Sequence, residues 1–363
     1  MTEQNIESIR CAEYIASSVS EIPFSEWIDQ YREDISVIVT QGFEERSVGF
    51  IEGLAQNGFT ADAVIIGRHS SHTEANAKYQ ERFEEAAIRV SRAPLCPIDL
   101  DADGDWISEA LSNTRTSHVV IDITGIGTRG LFGALDAAAR CGKQVLIAYT
   151  EANEYWPKRA DWAALKTELS DVSSLPDAVD VKPWLFGYEH NVELIPGHEG
   201  YDSAGTERAL VGLLPFKYAR LAAVMSAEDY AAFLFIAGRP RLPENAWRFE
   251  ALLDINRDIV KDRRIVEMST FGYRAALQKF HDVLLLEDSF LERYDVHLAL
   301  MGSKLQDVAC WALSCLIPSL TVLTAVPARY YHEAFSDGIG QKWVFPLLSP
   351  YAINDVIYAI KKE

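Results

Sequence analysis

Residues 118–129 read HVVIDITGIGTR, an apolar run that ends at Asp122 and passes into a glycine turn. A short β-branched run of this kind predicts a buried strand, and the TRGLFGALDAAAR segment from Thr128 predicts a helix. Upstream, the apolar runs at 35–41 and 61–67 predict two further strands, each followed by a helical pattern. Such alternation predicts a mainly parallel sheet with helices on both faces, which is a Rossmann-like α/β unit.

The second half of the chain repeats this unit. Three pairs of motifs match in chain order, at separations of 171, 175 and 177 residues: Gly67-Arg68 with Gly238-Arg239, Gly127-Thr128-Arg129 with Gly302-Ser303-Lys304, and VLIA from Val145 with VLTA from Val322. Small loop insertions would produce this slow drift. We therefore predict an α/β fold of two similar Rossmann-like units from an internal duplication, with corresponding loops facing one shared cleft.

The predicted organisation follows the patterns of apolar and turn-forming residues. Five segments are expected: a helical lead at 1–34, the first unit at 35–165, a linker with one hairpin at 166–206, the second unit at 207–335, and a tail with a terminal helix at 336–363. The linker is inferred from its proline, glycine and aspartate content.

The composition bounds the class of protein. A hydrophobic content of 48% and a charged content of 24% are typical of a soluble globular protein. With no apolar run of membrane-spanning length and no signal-peptide pattern at the N-terminus, a cytoplasmic location is expected. Five scattered cysteines indicate neither a disulfide framework nor a zinc site, and no cofactor is expected. A net charge of −19 argues against duplex nucleic acid as a partner.

The loops that follow the predicted strands carry glycine together with arginine or lysine. Ligands of open parallel sheets bind at this edge, where glycine allows close backbone approach and a helix N-terminus favours anions. The chain has only 34 basic residues against 53 acidic ones, so basic side chains are enriched there. Each loop taken alone also fits a purely structural turn and helix cap. As a set they indicate an anionic ligand of nucleotide type, held by phosphate contacts and aromatic stacking.

The candidate ligand-binding residues all lie in these loops. They are Gly42, Phe43, Arg46, Arg68, Gly125, Gly127, Thr128, Arg129, Phe216, Arg220, Arg239, Tyr273, Gly302, Ser303, Lys304, Arg329 and Tyr330.

Acid and base chemistry has three candidates. Asp122 follows a strand, Glu45 lies in a charged first helical turn, and His69 lies three residues before His72 in a polar loop. A cap, a dipole-stabilised turn and a surface loop are the structural alternatives. The glycine turn is not a Walker A loop. Its GxGxxG spacing at Gly125 follows a late strand and is a weak dinucleotide signal.

The strand–Gly-Thr-Arg and strand–Gly-Ser-Lys turns resemble those of CRISPR-associated Rossmann fold (CARF) ligand-sensing domains. The resemblance implies that a cyclic oligonucleotide contacts two loops of each unit at a twofold interface. The corresponding loops here are residues 42–47 and 125–129 in the first unit, and 216–220 and 302–306 in the second. Such sensors usually carry an effector nuclease or a DNA-binding domain. Neither is found in this sequence, so the protein would act through a protein partner or effector or would carry out chemistry itself, and a homo-oligomer stays open.

The sequence thus predicts binding of a nucleotide or other phosphorylated signal in the cleft, as a sensor or regulatory subunit in bacterial antiviral defence. Two alternatives stay open at this point. One is a nucleotide-processing transferase or hydrolase that uses Asp122, Glu45 or His69. The other is a protein-interaction subunit whose cleft is vestigial.

Overall fold

The computed structural model describes residues 3–31, 34–70, 73–100, 105–170, 190–201, 205–287, 290–327 and 335–351. The chain divides into two compact units. One, here called the first-repeat unit, comprises Ser18–Trp156 and Phe335–Ser349. The other, the second-repeat unit, comprises Met1–Ser17, Pro157–Ala334 and Pro350–Glu363. The predicted lead at 1–34 is therefore divided between the two units.

The elements up to residue 155 are, in chain order, α1 (Glu3–Ser17), β1 (Ile22–Pro23), α2 (Phe24–Gln30), β2 (Ile35–Thr40), a 3-10 turn (Glu45–Val48), α3 (Gly49–Gln56), β3 (Ala63–Arg68), α4 (Thr73–Asn76), a 3-10 turn (Ala77–Tyr79), α5 (Gln80–Val90), β4 (Cys96–Asp99), α6 (Trp106–Ser112), β5 (His118–Asp122), α7 (Thr128–Arg140), β6 (Gln144–Thr150) and β7 (Glu154–Tyr155).

The later elements are α8 (Arg159–Ser170), β8 (His190–Leu194), β9 (Arg208–Leu213), α9 (Tyr218–Ala227), β10 (Ala232–Arg239), a 3-10 turn (Pro243–Asn245), α10 (Trp247–Ile255), α11 (Arg257–Val260), β11 (Arg264–Ser269), α12 (Tyr273–His281), a π-helical turn (Asp282–Glu287), α13 (Phe290–Arg293), β12 (Asp295–Leu300), α14 (Lys304–Leu316), β13 (Thr321–Pro327), β14 (Ser336–Asp337) and β15 (Lys342–Leu347).

The two repeats build sheets of the same strand order. Among the described residues the first sheet runs β1-β15-β6-β5-β2-β3-β4, and the second runs β8-β13-β12-β9-β10-β11 when read in the same direction. The five strands from β6 to β4 pair in parallel, as do those from β13 to β11. The predicted fold class, α/β with two Rossmann-like units, is confirmed.

The sixth strand of each sheet is antiparallel and comes from a different part of the chain. β15, which follows the second repeat, pairs with β6 of the first sheet. β8, which lies in the predicted linker, pairs with β13 of the second sheet. The chain thus returns to its first unit after completing its second. Most of the predicted terminal helix, from residue 352 onward, lies outside the described residues.

Strand β2 shows why these apolar runs have no polar alternation. All six of its residues are buried, because it lies between β3 and β5 and is covered on its faces. Val37 and Val39 pack in one cluster with Phe50 and Leu54 of α3. Each such side chain contributes about 1.5–3 kcal/mol through burial, which favours apolar residues on both faces of the strand.

None of the described helices combines the length and apolar character that spanning a membrane requires.

Candidate functional site

The first-repeat unit has a topological switch point between β2 and β5. These two strands are neighbours, and the chain leaves β2 toward β3 on one side and leaves β5 toward β6 on the other. A crevice opens outside the carboxyl ends of strands where the order reverses in this way, and ligands of open α/β sheets bind there. The loops after β2 and β5 were both predicted to bind ligand.

The structure brings these two predicted loops into contact through glycines. A Cβ atom added at Gly125 would lie 2.6 Å from the carbonyl oxygen of Thr40, and one added at Gly42 would lie 3.4 Å from the Cα of Gly125. Only a residue without a side chain allows the backbone after β5 to approach the end of β2 so closely. The glycines therefore allow the two loops to meet at the switch point.

We expect Gly125→Ala to destabilise the first-repeat unit by about 1–3 kcal/mol, because the added methyl group meets backbone rather than a movable side chain. Gly133→Ala is the matched control. A Cβ at Gly133, inside α7, meets nothing within 4 Å, and the change should stabilise the helix by about 0.5–1 kcal/mol. Urea unfolding, monitored by hydrogen exchange in β2 and β5, measures the change in stability of both variants. Equal effects of the two changes would contradict the steric role of Gly125.

Helix α7 presents its N-terminus beside this contact. Its N-cap is Gly127, so the helix begins without a side-chain cap on its first N–H groups. Arg129, the second residue of the helix, is exposed. A Cβ at Gly127 would lie 3.6 Å from Cε1 of His69, which places the His69 ring next to the helix start. The N–H groups of a helix start, the helix dipole and an arginine together form a favourable environment for an anion.

Phe43 lies in the loop after β2, partly buried against a residue from the far end of the chain. Its ring centroid is 4.9 Å from that of Phe335, in an edge-to-face arrangement. This geometry is a favourable aromatic contact. It holds the loop that carries Gly42 against the segment that precedes β15.

Arg46 is buried within a polar cluster that it organises. Its guanidinium donates from Nε to Glu44 at 2.9 Å and from Nη2 at 3.1 Å, and from Nη1 to the Tyr149 hydroxyl at 3.2 Å. It also lies 5.7 Å and 5.4 Å from the ring centres of Tyr149 and Tyr155. Burial opposes its charge, yet the Glu44 carboxylate raises the pKa of Arg46 well above its ordinary value. These contacts assign Arg46 a structural task, and its predicted phosphate contact stays a prediction.

Asp122 is buried at the end of β5 and holds the following loop. Its Oδ1 accepts from the backbone N–H of Thr124 at 3.0 Å and from the Thr124 hydroxyl at 2.5 Å. Burial raises the pKa of Asp122 to about 7, although the Thr124 hydrogen bonds and the positive charge of Arg46 lower it. Its Oδ2 and the Thr150 hydroxyl are buried with no hydrogen-bond partner among the described residues. A carboxyl with a pKa near neutrality under a ligand crevice is a feature of functional sites.

The other predicted side chains of this unit form ion pairs. Glu45 pairs with Arg82 at 2.8 Å, and Arg82 also contacts Glu52 at 2.9 Å. Arg68, which ends β3, pairs with Glu84 at 2.8 Å. His72 lies outside the described residues.

The corresponding loop of the second-repeat unit is capped. Helix α14 has Ser303 as its N-cap, and the Ser303 hydroxyl accepts from Gln306 N while the Gln306 side chain accepts from Ser303 N. The same hydroxyl donates to the carbonyl of Thr270 at 2.7 Å. The capping box satisfies N–H groups that α7 leaves to other partners. In the matching Gly-Thr-Arg and Gly-Ser-Lys motifs, the two helices therefore start one position apart. The N-cap of α7 is the glycine, Gly127, whereas the N-cap of α14 is the residue after the glycine, Ser303.

Basic residues of the second-repeat unit are also engaged within the protein. Arg220 donates to the carbonyls of Ala325 and Leu300 at 3.0 and 3.1 Å, so it ties together the ends of β13 and β12. Lys304 lies 4.0 Å from Asp307.

The structure describes four of the six remaining candidates of this unit. Phe216 lies beneath Arg248, Arg239 pairs with Glu267, Tyr273 is buried and Gly302 adjoins Gln306. Arg329 and Tyr330 lie outside the described residues.

Sequence reasoning missed the residues that surround Arg46. Three of them lie at the end of β6 or after it: Tyr149, Thr150 and Tyr155. They could have been found from the rule that polar groups gather at the carboxyl ends of parallel strands. Ser336, which donates to Glu44, lies 292 positions further along the chain and has no local signature. The arrangement of the two units, and hence the shared cleft, stays a prediction.

Comparison with known proteins identifies no family. No protein-family model and no curated protein matches the sequence. Among solved structures, the chain is similar to a Type III CRISPR defence DNA nuclease activated by cyclic oligoadenylate, at 9% identity over 84% of this chain and 68% of that chain, with a TM-score of 0.48. It is also similar to CobK precorrin-6A reductase (15% identity, 82% and 91% of the chains, TM-score 0.22). A third similar structure is UDP-GlcNAc 2-epimerase from Neisseria meningitidis, at 11% identity over 91% of this chain and 100% of that chain, with a TM-score of 0.23. At these identities the likeness concerns the α/β fold alone.

Proposed function

We propose that this protein binds a nucleotide or other phosphorylated signal at the switch point of its first-repeat unit. The observation that carries the proposal is the start of α7, which has glycine as its N-cap and an exposed Arg129 in its first turn. In support, the glycine contact between the loops after β2 and β5 lies beside this helix start, at the carboxyl edge of the sheet, where open α/β sheets bind ligands.

The chemistry of the crevice fits a phosphate group joined to a planar ring. The first N–H groups of α7 and the Arg129 guanidinium supply donors and positive potential for phosphate oxygens. Phe43, in the loop after β2, offers an aromatic surface whose position is supported by Phe335. His69 lies beside the helix start and is a further donor for an anion.

A sensing role in bacterial antiviral defence is the form of this function that the CARF-like loops favour. That role makes a cyclic oligoadenylate the first ligand to test, and it requires a protein partner or effector to act on. The support for it is the pattern of Gly-Thr-Arg and Gly-Ser-Lys turns.

Calorimetric titration with inorganic phosphate, mononucleotides and cyclic oligoadenylates tests the proposal. Gly127→Asp provides the sharpest variant: an aspartate N-cap preserves the helix and repels an anion, so binding should be abolished while the unfolding temperature is retained. Arg129→Gln should weaken binding by about tenfold or more, as expected for loss of a charge-assisted hydrogen bond.

Arg140→Gln is the matched control for Arg129→Gln. Arg140 ends the same helix, pairs with Asp105 at 2.7 Å and carries the same charge, but lies at the opposite end. The Arg140→Gln protein should bind the phosphorylated ligand as tightly as the unchanged protein does. Equal affinity of all three variants, or no binding of any phosphorylated compound, would sink the proposal. Analysis of the titrated nucleotides for products tests the alternative enzyme function of Asp122, Glu45 and His69.

A further inference from the structure

Residues 239–248 have a charge opposite to that of the whole chain. They carry three arginines and one acidic residue, in a protein with a net charge of −19. The segment follows β10 at the carboxyl edge of the second sheet and runs through a 3-10 turn into α10. Arg239 is among the predicted site residues, whereas Arg241 and Arg248 are not.

Each of these three arginines lies over an aromatic ring. The guanidinium carbon of Arg239 is 4.2 Å from the ring centre of Phe249. The distances are 4.4 Å for Arg241 over Phe271 and 4.5 Å for Arg248 over Phe216. We call these six residues the arginine–aromatic row. Stacking holds each guanidinium plane in place, which reduces the entropy lost when it binds a ligand.

The row crosses three neighbouring strands of one sheet. Phe271 follows β11, Arg239 ends β10 and Phe216 follows β9, and these strands are adjacent in that order. Two strand spacings correspond to about 10 Å. Thr270 N donates to the carbonyl of Arg239 at 3.1 Å, which joins the ends of β10 and β11 within the row. The three pairs therefore lie along one edge of the sheet, with the rings of Phe249 and Phe271 buried beneath their arginines.

The ion pair of Arg239 can be replaced by an incoming anion. Arg239 pairs with Glu267 at 2.6 Å, but both side chains are about half exposed. An exposed pair of this kind contributes only about 0–1 kcal/mol, so a phosphate can replace the carboxylate. Arg248 donates to the carbonyl of Pro157 at 2.8 Å, which orients its guanidinium.

We propose that the arginine–aromatic row binds single-stranded nucleic acid. Nucleobases stack on guanidinium planes such as those of the exposed Arg239 and Arg241, and the same guanidiniums form forked hydrogen bonds with phosphates. Duplex binding would require a broad positive surface, and the net charge of −19 argues against one. The row belongs to the second-repeat unit, so this proposal does not rest on the phosphate site at α7.

Fluorescence anisotropy with labelled 12-nucleotide oligo(dT) and oligo(rA) measures this binding across a salt series. Arg241→Ala combined with Arg248→Ala should weaken binding by about tenfold or more, from lost stacking and charge. The slope of log affinity against log salt should fall by about 1.4 if both arginines contact phosphates. Arg257→Ala with Arg264→Ala removes the same charge from exposed positions of the same unit outside the row, and should change neither quantity.

Arg241→Lys combined with Arg248→Lys keeps the charge and removes the planar guanidinium groups. Because this change is conservative, it distinguishes lost stacking from a folding defect of the alanine variant. The proposal expects this variant to bind several-fold more weakly than the unchanged protein. Full affinity of the lysine variant would overturn it, as would equal binding of a polyglutamate peptide of matched charge. The Gly127→Asp protein should bind oligonucleotide normally, so failure of the two proposals can be told apart.

Discussion

Replacing Arg46 with alanine is expected to lower the free energy of unfolding of the first-repeat unit by about 3–5 kcal/mol, the cost of removing one partner from a buried ion pair. Glu44, which keeps 14% of its side chain exposed, would lose its bidentate partner. The Tyr149 hydroxyl and the Thr150 carbonyl would lose the same donor. Ser336 would then be left holding a Glu44 carboxylate whose charge is no longer balanced.

Arg92→Ala is the control in the same unit. Arg92 pairs with Asp34 at 2.7 Å, but their side chains are 52% and 71% exposed, so its loss should cost about 0–1 kcal/mol. Urea unfolding followed by hydrogen exchange in β2 and β6 compares the two. A cost for Arg46→Ala no greater than that for Arg92→Ala would show that the cluster does not stabilise the unit.

Arg46 also shows where sequence reasoning ends. Its position after a buried strand was correctly recognised, and from that position a phosphate contact was predicted. What decides its environment is the return of the chain at Ser336, and the antiparallel strand β15 that follows. Periodicity reports the local environment of a strand or helix, and it carries no information on which distant segment covers a strand end.

The helix starts of α7 and α14 show the same limit within a single motif. The repeated glycine and basic residue correctly indicated two corresponding strand–helix turns. They differ in where the helix starts: Ser303 caps α14 together with Gln306, while Gly127, one position earlier in the motif, has no side chain with which to cap α7. The fold class follows from apolar patterns that both repeats share. A side-chain cap at a helix start depends on individual hydrogen bonds, which those patterns do not report.

Asp122 is expected to make the stability of the first-repeat unit fall as the pH rises from about 4 to 7. In the unfolded chain this carboxyl ionises near its ordinary pKa of about 3.9, whereas burial raises the pKa in the folded protein to about 7. Between these values the unfolded state binds fewer protons than the folded state, so stability decreases with pH and levels off above 7. A difference of about three pKa units corresponds to about 4 kcal/mol in total.

Asp122→Asn removes this titration and should remove the corresponding fall in stability. The asparagine carbonyl can accept the two Thr124 hydrogen bonds, while its NH₂ group occupies the place of Oδ2, which has no partner among the described residues. We therefore expect the variant to be less stable than the unchanged protein near pH 4.5 and to gain on it steadily toward pH 7.5. Urea unfolding at both pH values, with Asp34→Asn as an exposed control, measures that gain. A constant difference between the two proteins would mean that Asp122 is ionised throughout, with Arg46 and Thr124 outweighing its burial.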